Sequence, residues 1–198
     1  MSKAVKLLVS GYEASGKSTI TSTIKDALVI NFDRKEYSFA IPHANFKDYE
    51  GMDSVIKFVN EKIAAYKKKN NDTLPKVVVF DTVTQMYTAM VGYNSKKYSG
   101  FAIHSQNNID TITFNEYIEK VLMVSGISVV IVAHTIVDTD SGRHIIPANG
   151  SVMPFVAVMQ HRNPSNCWKP LTEIRKAISS EAYVNRNVQR LSLMGVAA

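Results

Sequence analysis

Gly11-Tyr12-Glu13-Ala14-Ser15-Gly16-Lys17-Ser18 matches G-x-x-x-x-G-K-[ST] at every position, and Thr19 follows it. This pattern is the chemistry of a phosphate cradle. Glycines allow the tight turn that points successive backbone N–H groups at one anion. The helix that follows adds the unpaired N–H groups of its first turn. In such a cradle the Lys17 ammonium reaches the β- and γ-phosphates, and the Ser18 hydroxyl ligates magnesium. Thr19 stands where a second hydroxyl meets the α-phosphate. The residues 11–19 therefore predict a site for Mg-ATP, with ATP and Mg2+ as the bound groups.

A cradle works only between a strand and a helix, and the flanking residues supply both. Residues 4–10 (Ala-Val-Lys-Leu-Leu-Val-Ser) form a short apolar run ended by glycine, as a buried strand does. From Lys17 onward Ile20 and Ile24 fall at helical spacing. Residues 27–32 read as a second strand. Asp53 is a candidate cap for a helix whose Val55, Ile56, Val59, Ile63 and Tyr66 share one face, closed by Lys67, Lys68 and Lys69 at its negative end. Residues 76–81 (Lys-Val-Val-Val-Phe-Asp) are the clearest strand, and Asp81 at its carboxyl end is placed to hold the magnesium through water. That strand is expected beside the P-loop strand. Thr82 and Thr84 either support the metal shell or start the next turn. Residues 109–124 predict a helix ended near Gly126, residues 127–133 another apolar strand followed by His134, and residues 135–147 a hairpin turning at Asp140-Ser141-Gly142. Strands apolar throughout and alternating with helices predict an α/β fold, with a mostly parallel central sheet flanked by helices.

Two branches of P-loop protein differ around the γ-phosphate. A kinase of nucleotides or nucleosides needs an arginine-rich lid, yet Arg34 is the only arginine between the P-loop and His134. A RecA-like ATPase needs an acid at the end of the second strand, to orient the attacking water, and a polar sensor at the tip of the strand after the magnesium aspartate. Asp33 and His134 fill those places. The runs Ala27-Leu-Val-Ile-Asn-Phe-Asp33-Arg-Lys-Glu36, Ile41-Pro42-His43-Ala44, Val79-Phe80-Asp81-Thr82-Val83-Thr84 and Ala133-His134-Thr135 resemble the phage-encoded RecA-like ATPases of the single-strand-annealing and recombination group, within the AAA-type nucleotide-binding proteins.

That resemblance covers roughly residues 4–150 and implies a P-loop NTPase with a RecA-like core. It further implies ATP binding, slow or DNA-stimulated hydrolysis, a role on single-stranded DNA, and assembly into a homo-oligomeric ring or filament, with a single-strand-binding protein as a further partner. Lys17 and Ser18 become phosphate and magnesium residues, Asp81 the second magnesium holder, and His134 the γ-phosphate sensor. Asp33 aligns best with the water-orienting acid and Glu36 is the reserve. RecA-like enzymes usually carry glutamate there. A non-hydrolysing ATP-binding interaction module therefore stays open beside the ATPase and the kinase.

The same resemblance places DNA contacts in residues 92–108 and 135–150. Lys96, Lys97 and Tyr98 in the first, with Arg143 in the second, combine cations and aromatics as single-strand binding does. An exposed loop of that composition is also common. His43 reads as a turn or packing residue.

The domain division expected is 1–150 for the nucleotide-binding core and 151–198 for a C-terminal basic segment, which either completes the sheet or forms a small appendage. Residues 151–198 carry net charge +4 of the chain's +6, suited to a phosphate backbone or to a solvated surface. With 45% hydrophobic and 20% charged residues among 198, the composition is that of a globular protein able to bury a core. No run approaches the ~20 apolar residues of a membrane span. Cys167, the single cysteine, excludes an intramolecular disulfide. With no recognisable signal peptide, a cytoplasmic protein is expected. No His or Cys pair has zinc-ligand spacing.

Overall fold

The computed structural model describes residues 4–34, 36–37, 41–137 and 144–145. Its centre is a five-stranded sheet in the order β1 (Lys6–Gly11), β5 (Ser128–His134), β4 (Val77–Asp81), β2 (Ala27–Asn31) and β3 (His43–Asn45), every pair parallel. The expected α/β P-loop architecture is present. One detail of the expectation is corrected. β4 is not the neighbour of β1, because β5 lies between them, hydrogen-bonded to both.

The apolar runs become interior strands because both of their faces are covered. In β4, Val77 and Val79 join Leu7, Val9, Val29, Val130 and Val132 in a core closed by Ile20 and Ile24. Val78 and Phe80 point the other way, into a larger core. There they meet α2 (Met52–Lys69) through Val55 and Val59, α3 (Val83–Lys97) through Met86 and Met90, and α4 (Phe101–Tyr117) through Phe114. The two-residue period of the strands thus sorts the side chains between two cores. α1 (Lys17–Thr21) covers the smaller one. No described helix is long and apolar enough to cross a membrane.

Two helix expectations need correction. Asp53 is not the cap of α2. Gly51 holds that position at φ 110°, and Asp53 sits in the first turn, where its charge suits the helix dipole. Residues 92–108, expected as a loop, are mostly helical: α3 runs through Lys97, and α4 begins at Phe101 rather than near residue 109. The polar residues there hide the apolar period because they are themselves core. Asn94 Nδ2 donates to Asn107 Oδ1 at 2.9 Å and to Asp110 Oδ2 at 2.8 Å, and Tyr49 donates to the same carboxylate at 3.0 Å. All four residues are buried. After Tyr117 the helix widens into a π-helical turn, Ile118–Leu122. The expected hairpin is present as β6 (Ile136–Val137) paired antiparallel with β7 (His144–Ile145). Its turn, Arg143 and residues 151–198 lie outside the described residues.

β1 carries one anomaly for a central sheet. Lys6 is buried, donating to Glu119 Oε1 at 2.6 Å and Asn115 Oδ1 at 2.9 Å. This pair ties the P-loop strand to the π-helical turn. Glu119 keeps some exposure, which softens the loss if its partner goes. Lys6→Ala is expected to destabilise the protein by about 2–4 kcal/mol, read as a lower urea midpoint with an unchanged slope; a shift below about 0.5 kcal/mol would deny the pair that role.

Candidate functional site

All five strands point the same way, so their carboxyl ends share one rim of the sheet, where ligands of such folds bind. β1 leaves that rim at Gly11 into the P-loop, β2 at Asn31, β4 at Asp81 and β5 at His134. Register fixes their heights: Gly11 lies opposite His134 and Asn31 opposite Asp81. A cavity of about 340 Å3 opens there. It is lined by residues 13–19 and by Asn31, Asp33, Glu36, Tyr37, Asp81, Thr82 and His134. Both candidate acids, the candidate sensor and the candidate magnesium residues are therefore gathered at one site.

The P-loop has the expected backbone. Gly16 (φ 85°) caps α1, and Ala14 also lies in the left-handed region at φ 59°. α1 has only five residues. Its summed dipole is small, and the first-turn N–H groups act locally. Lys17 is 4% exposed, and its ammonium donates to the carbonyls of Gly11 (2.9 Å) and Tyr12 and to Ser15 Oγ (3.3 Å). The cation is held inside the loop rather than extended into solvent. Phosphate oxygens, as charged acceptors, would compete well against these carbonyls. Burial pushes the Lys17 pKa below its ordinary value, and the nearby Asp81, Glu13 and Asp33 oppose that shift.

Asp81 is 2% exposed. Its Oδ2 accepts the hydroxyls of Ser18 at 2.8 Å and Tyr37 at 2.9 Å. Burial raises its pKa, and those two donors pull it back. Its other oxygen, Oδ1, is buried without a partner, as are Thr82 Oγ1 and His134 Nδ1. An unpaired buried polar atom costs about 1–3 kcal/mol. Asn107 Nδ2 and Asn115 Nδ2 are two others among the described residues, but these three belong to residues that line one cavity, where a bound group could pair with them. The His134 imidazole is pushed toward its neutral form by burial and then by Lys17. Its backbone N–H is held by Thr84 Oγ1 at 2.9 Å. The two threonines thus divide: Thr82 faces the cavity as the N-cap of α3, and Thr84 fixes the tip of β5.

The donors fit magnesium. A serine hydroxyl, a carboxylate and a threonine hydroxyl are hard oxygen ligands, which Mg2+ prefers, with water or phosphate completing the shell. Among the described residues, four carboxylates (Glu13, Asp33, Glu36, Asp81) line the cavity against the one ammonium of Lys17. A bare triphosphate would meet net repulsion, so the charge balance favours a nucleotide that arrives with its metal.

These features have a counterpart among known proteins. Residues 3–152 match the family described as AAA domain. The chain belongs to that AAA domain family. Among curated proteins none matches it. AAA domains of the P-loop type generally bind ATP with Mg2+, and the cavity of this AAA domain has the residues for both.

Two lining residues escaped sequence reasoning. Asn31 donates to Asn45 Oδ1 at 2.8 Å, and its Oδ1 accepts the backbone N–H groups of Asp33 (3.0 Å) and Arg34 (3.2 Å). It shapes the exit from β2 that delivers Asp33. An asparagine closing an apolar strand was the available signal, since it favours turns over strands. Tyr37 had none. Lys96 and Lys97 close α3 and Tyr98 caps it, away from this cavity. Lys97 Nζ lies 5.6 Å from the Tyr93 ring and 5.9 Å from that of Tyr98.

A buried carboxylate is a cost to the metal-free fold. Asp81→Asn is expected to raise the melting temperature without ligand by about 2–4 °C while removing the magnesium dependence of nucleotide binding. A variant that melts lower and still binds Mg-ATP normally would contradict both halves.

Proposed function

We propose that the protein is an ATPase that binds Mg-ATP in this cavity and acts, as a homo-oligomer, on single-stranded DNA in phage recombination, annealing or repair. The observation that carries the nucleotide reading is the trio of buried unpaired atoms, Asp81 Oδ1, Thr82 Oγ1 and His134 Nδ1, on the cavity that Lys17 and Ser18 also line. When bound, magnesium supplies positive charge against the phosphates, held by Ser18 and Asp81. Lys17 and the P-loop amides bind the triphosphate, and neutral His134 offers a ring nitrogen toward the γ-phosphate. Asp33, with Glu36 in reserve, orients and deprotonates the attacking water.

Hydrolysis is favoured over transfer to a small acceptor by the lining. It holds three acids besides Asp81 and, among the described residues, no arginine. Arg34 is turned to Asp48 at 3.5 Å on the surface instead. The DNA reading rests on the resemblance, on the basic 151–198 segment, and on Lys97 flanked by two tyrosine rings with Lys96 beside it. Cation and aromatic side by side suit a single strand.

Lys17→Ala is expected to weaken ATP binding about 100-fold. Asp33→Ala is expected to lower turnover about 100-fold with ATP affinity nearly unchanged. If Glu36→Ala does so instead, the reserve acid holds the role. Turnover measured with and without single-stranded DNA tests the partner: no DNA binding with or without ATP would remove the DNA half of the reading.

A further inference from the structure

Tyr37 lies between β2 and β3, in neither the P-loop nor a strand, yet its hydroxyl donates to Asp81 Oδ2 at 2.9 Å. Ser18 donates to the same oxygen at 2.8 Å. Two donors on one oxygen fix the carboxylate's rotation and leave Oδ1 as the oxygen without a partner. The Tyr37 ring is itself located. It stands edge-on to His43 with centroids 4.9 Å apart, and His43 Nδ1 lies 2.9 Å from the carbonyl of Ile41. Its ring also packs on the smaller core with Ile41. The hydroxyl is therefore presented from a seated ring.

We propose that Tyr37 is a positioning residue for the magnesium site, orienting the Asp81 carboxylate so that Oδ1 faces the metal's water shell. The proposal rests on the Mg-ATP reading above. It gives a role to a residue that neither phosphate nor nucleophile needs to touch. It also ties the metal site to the segment bearing both candidate acids. Glu36 is the residue before Tyr37, and Asp33 is four before it. A carboxylate free to rotate would present either oxygen to the cavity. One locked by two hydroxyls presents a single oxygen, at no ordering cost when the metal arrives.

Tyr37→Phe in the full chain removes one oxygen atom and keeps the ring. Binding of a fluorescent ATP analogue is titrated with Mg2+ and, separately, measured in EDTA. The expected result is a magnesium requirement raised about 5- to 20-fold, with affinity in EDTA within about twofold of wild type. An unchanged magnesium requirement overturns the proposal, and so does an equal loss in both conditions, which would make the hydroxyl a packing group. A second arm is a melting-temperature cycle of Tyr37→Phe with Asp81→Asn. Coupling between the two is expected, and strictly additive shifts overturn the proposal. Wild-type protein that binds no analogue in either condition sinks the Mg-ATP reading itself, an outcome distinct from these.

Discussion

Asp81 is a carboxylate held almost entirely out of water at the end of a strand whose other four residues are buried hydrophobes. Everything at the rim answers to that fact. Desolvation drives the group toward protonation, and three elements remote in sequence act against it: Ser18 from the P-loop helix and Tyr37 from the β2–β3 connection by hydrogen bonds, and His134 at the tip of β5 through space. The sheet makes the meeting possible. Parallel strands deliver Gly11, Asn31, Asp81 and His134 to one edge, and the strand inserted between β1 and β4 sets His134 between the P-loop and Asp81.

The two cores divide the labour of holding that edge in place. The larger, built on α2, α3 and α4, contains the aromatic contacts: Phe80 with Phe114 at 5.1 Å and with Phe32 at 6.1 Å, and Phe32 with Phe46 at 5.5 Å. Phe80 is the residue before Asp81, and Phe32 the one before Asp33. Both candidate acids are thus anchored by a neighbouring ring in close-packed surroundings, where small displacements are resisted. The smaller core locates the phosphate loop through Ile20 and Ile24 and the Tyr37 ring through the same layer.

How legible this was depended on how far apart in the chain the cooperating residues lie. The P-loop is eight contiguous residues whose types the chemistry dictates, so it read at once. Asp81 and His134 read because each closes an apolar run downstream of a P-loop, where a metal holder and a sensor are needed; an acid ending an apolar strand is a weak signal alone. β3 did not read as a strand. His43-Ala44-Asn45 has no strand pattern, and its pairing is set by β2. Tyr37 is placed by that same pairing, and nothing local in the sequence announces it. α3 and the start of α4 were hidden for another reason. Asn94, Asn107 and Asp110 look like loop residues by type, yet Asn94 donates to both of the others inside the helix pair, so polarity there reports a buried network rather than solvent.

In the proposed hydrolysis, the β2 exit would let a short acid stand in for a long one. An aspartate reaches less far than a glutamate, so its usefulness as a water-orienting base depends on how firmly its backbone is held. Here Asn31 accepts the amides of Asp33 and Arg34 with one end of its side chain and grips Asn45 of the edge strand with the other. The turn is pinned to the sheet before Asp33 begins. Glu36 has the opposite arrangement: a longer, exposed side chain on a segment fastened one residue later, where Tyr37 meets Asp81. One acid is precise and short, the other long and tethered from its far side. A site that carried only reach, without the asparagine, would lose the fixed angle that general-base chemistry needs. The pairing of Asn31 with Asn45 is for that reason as much a part of the site as the acids it supports.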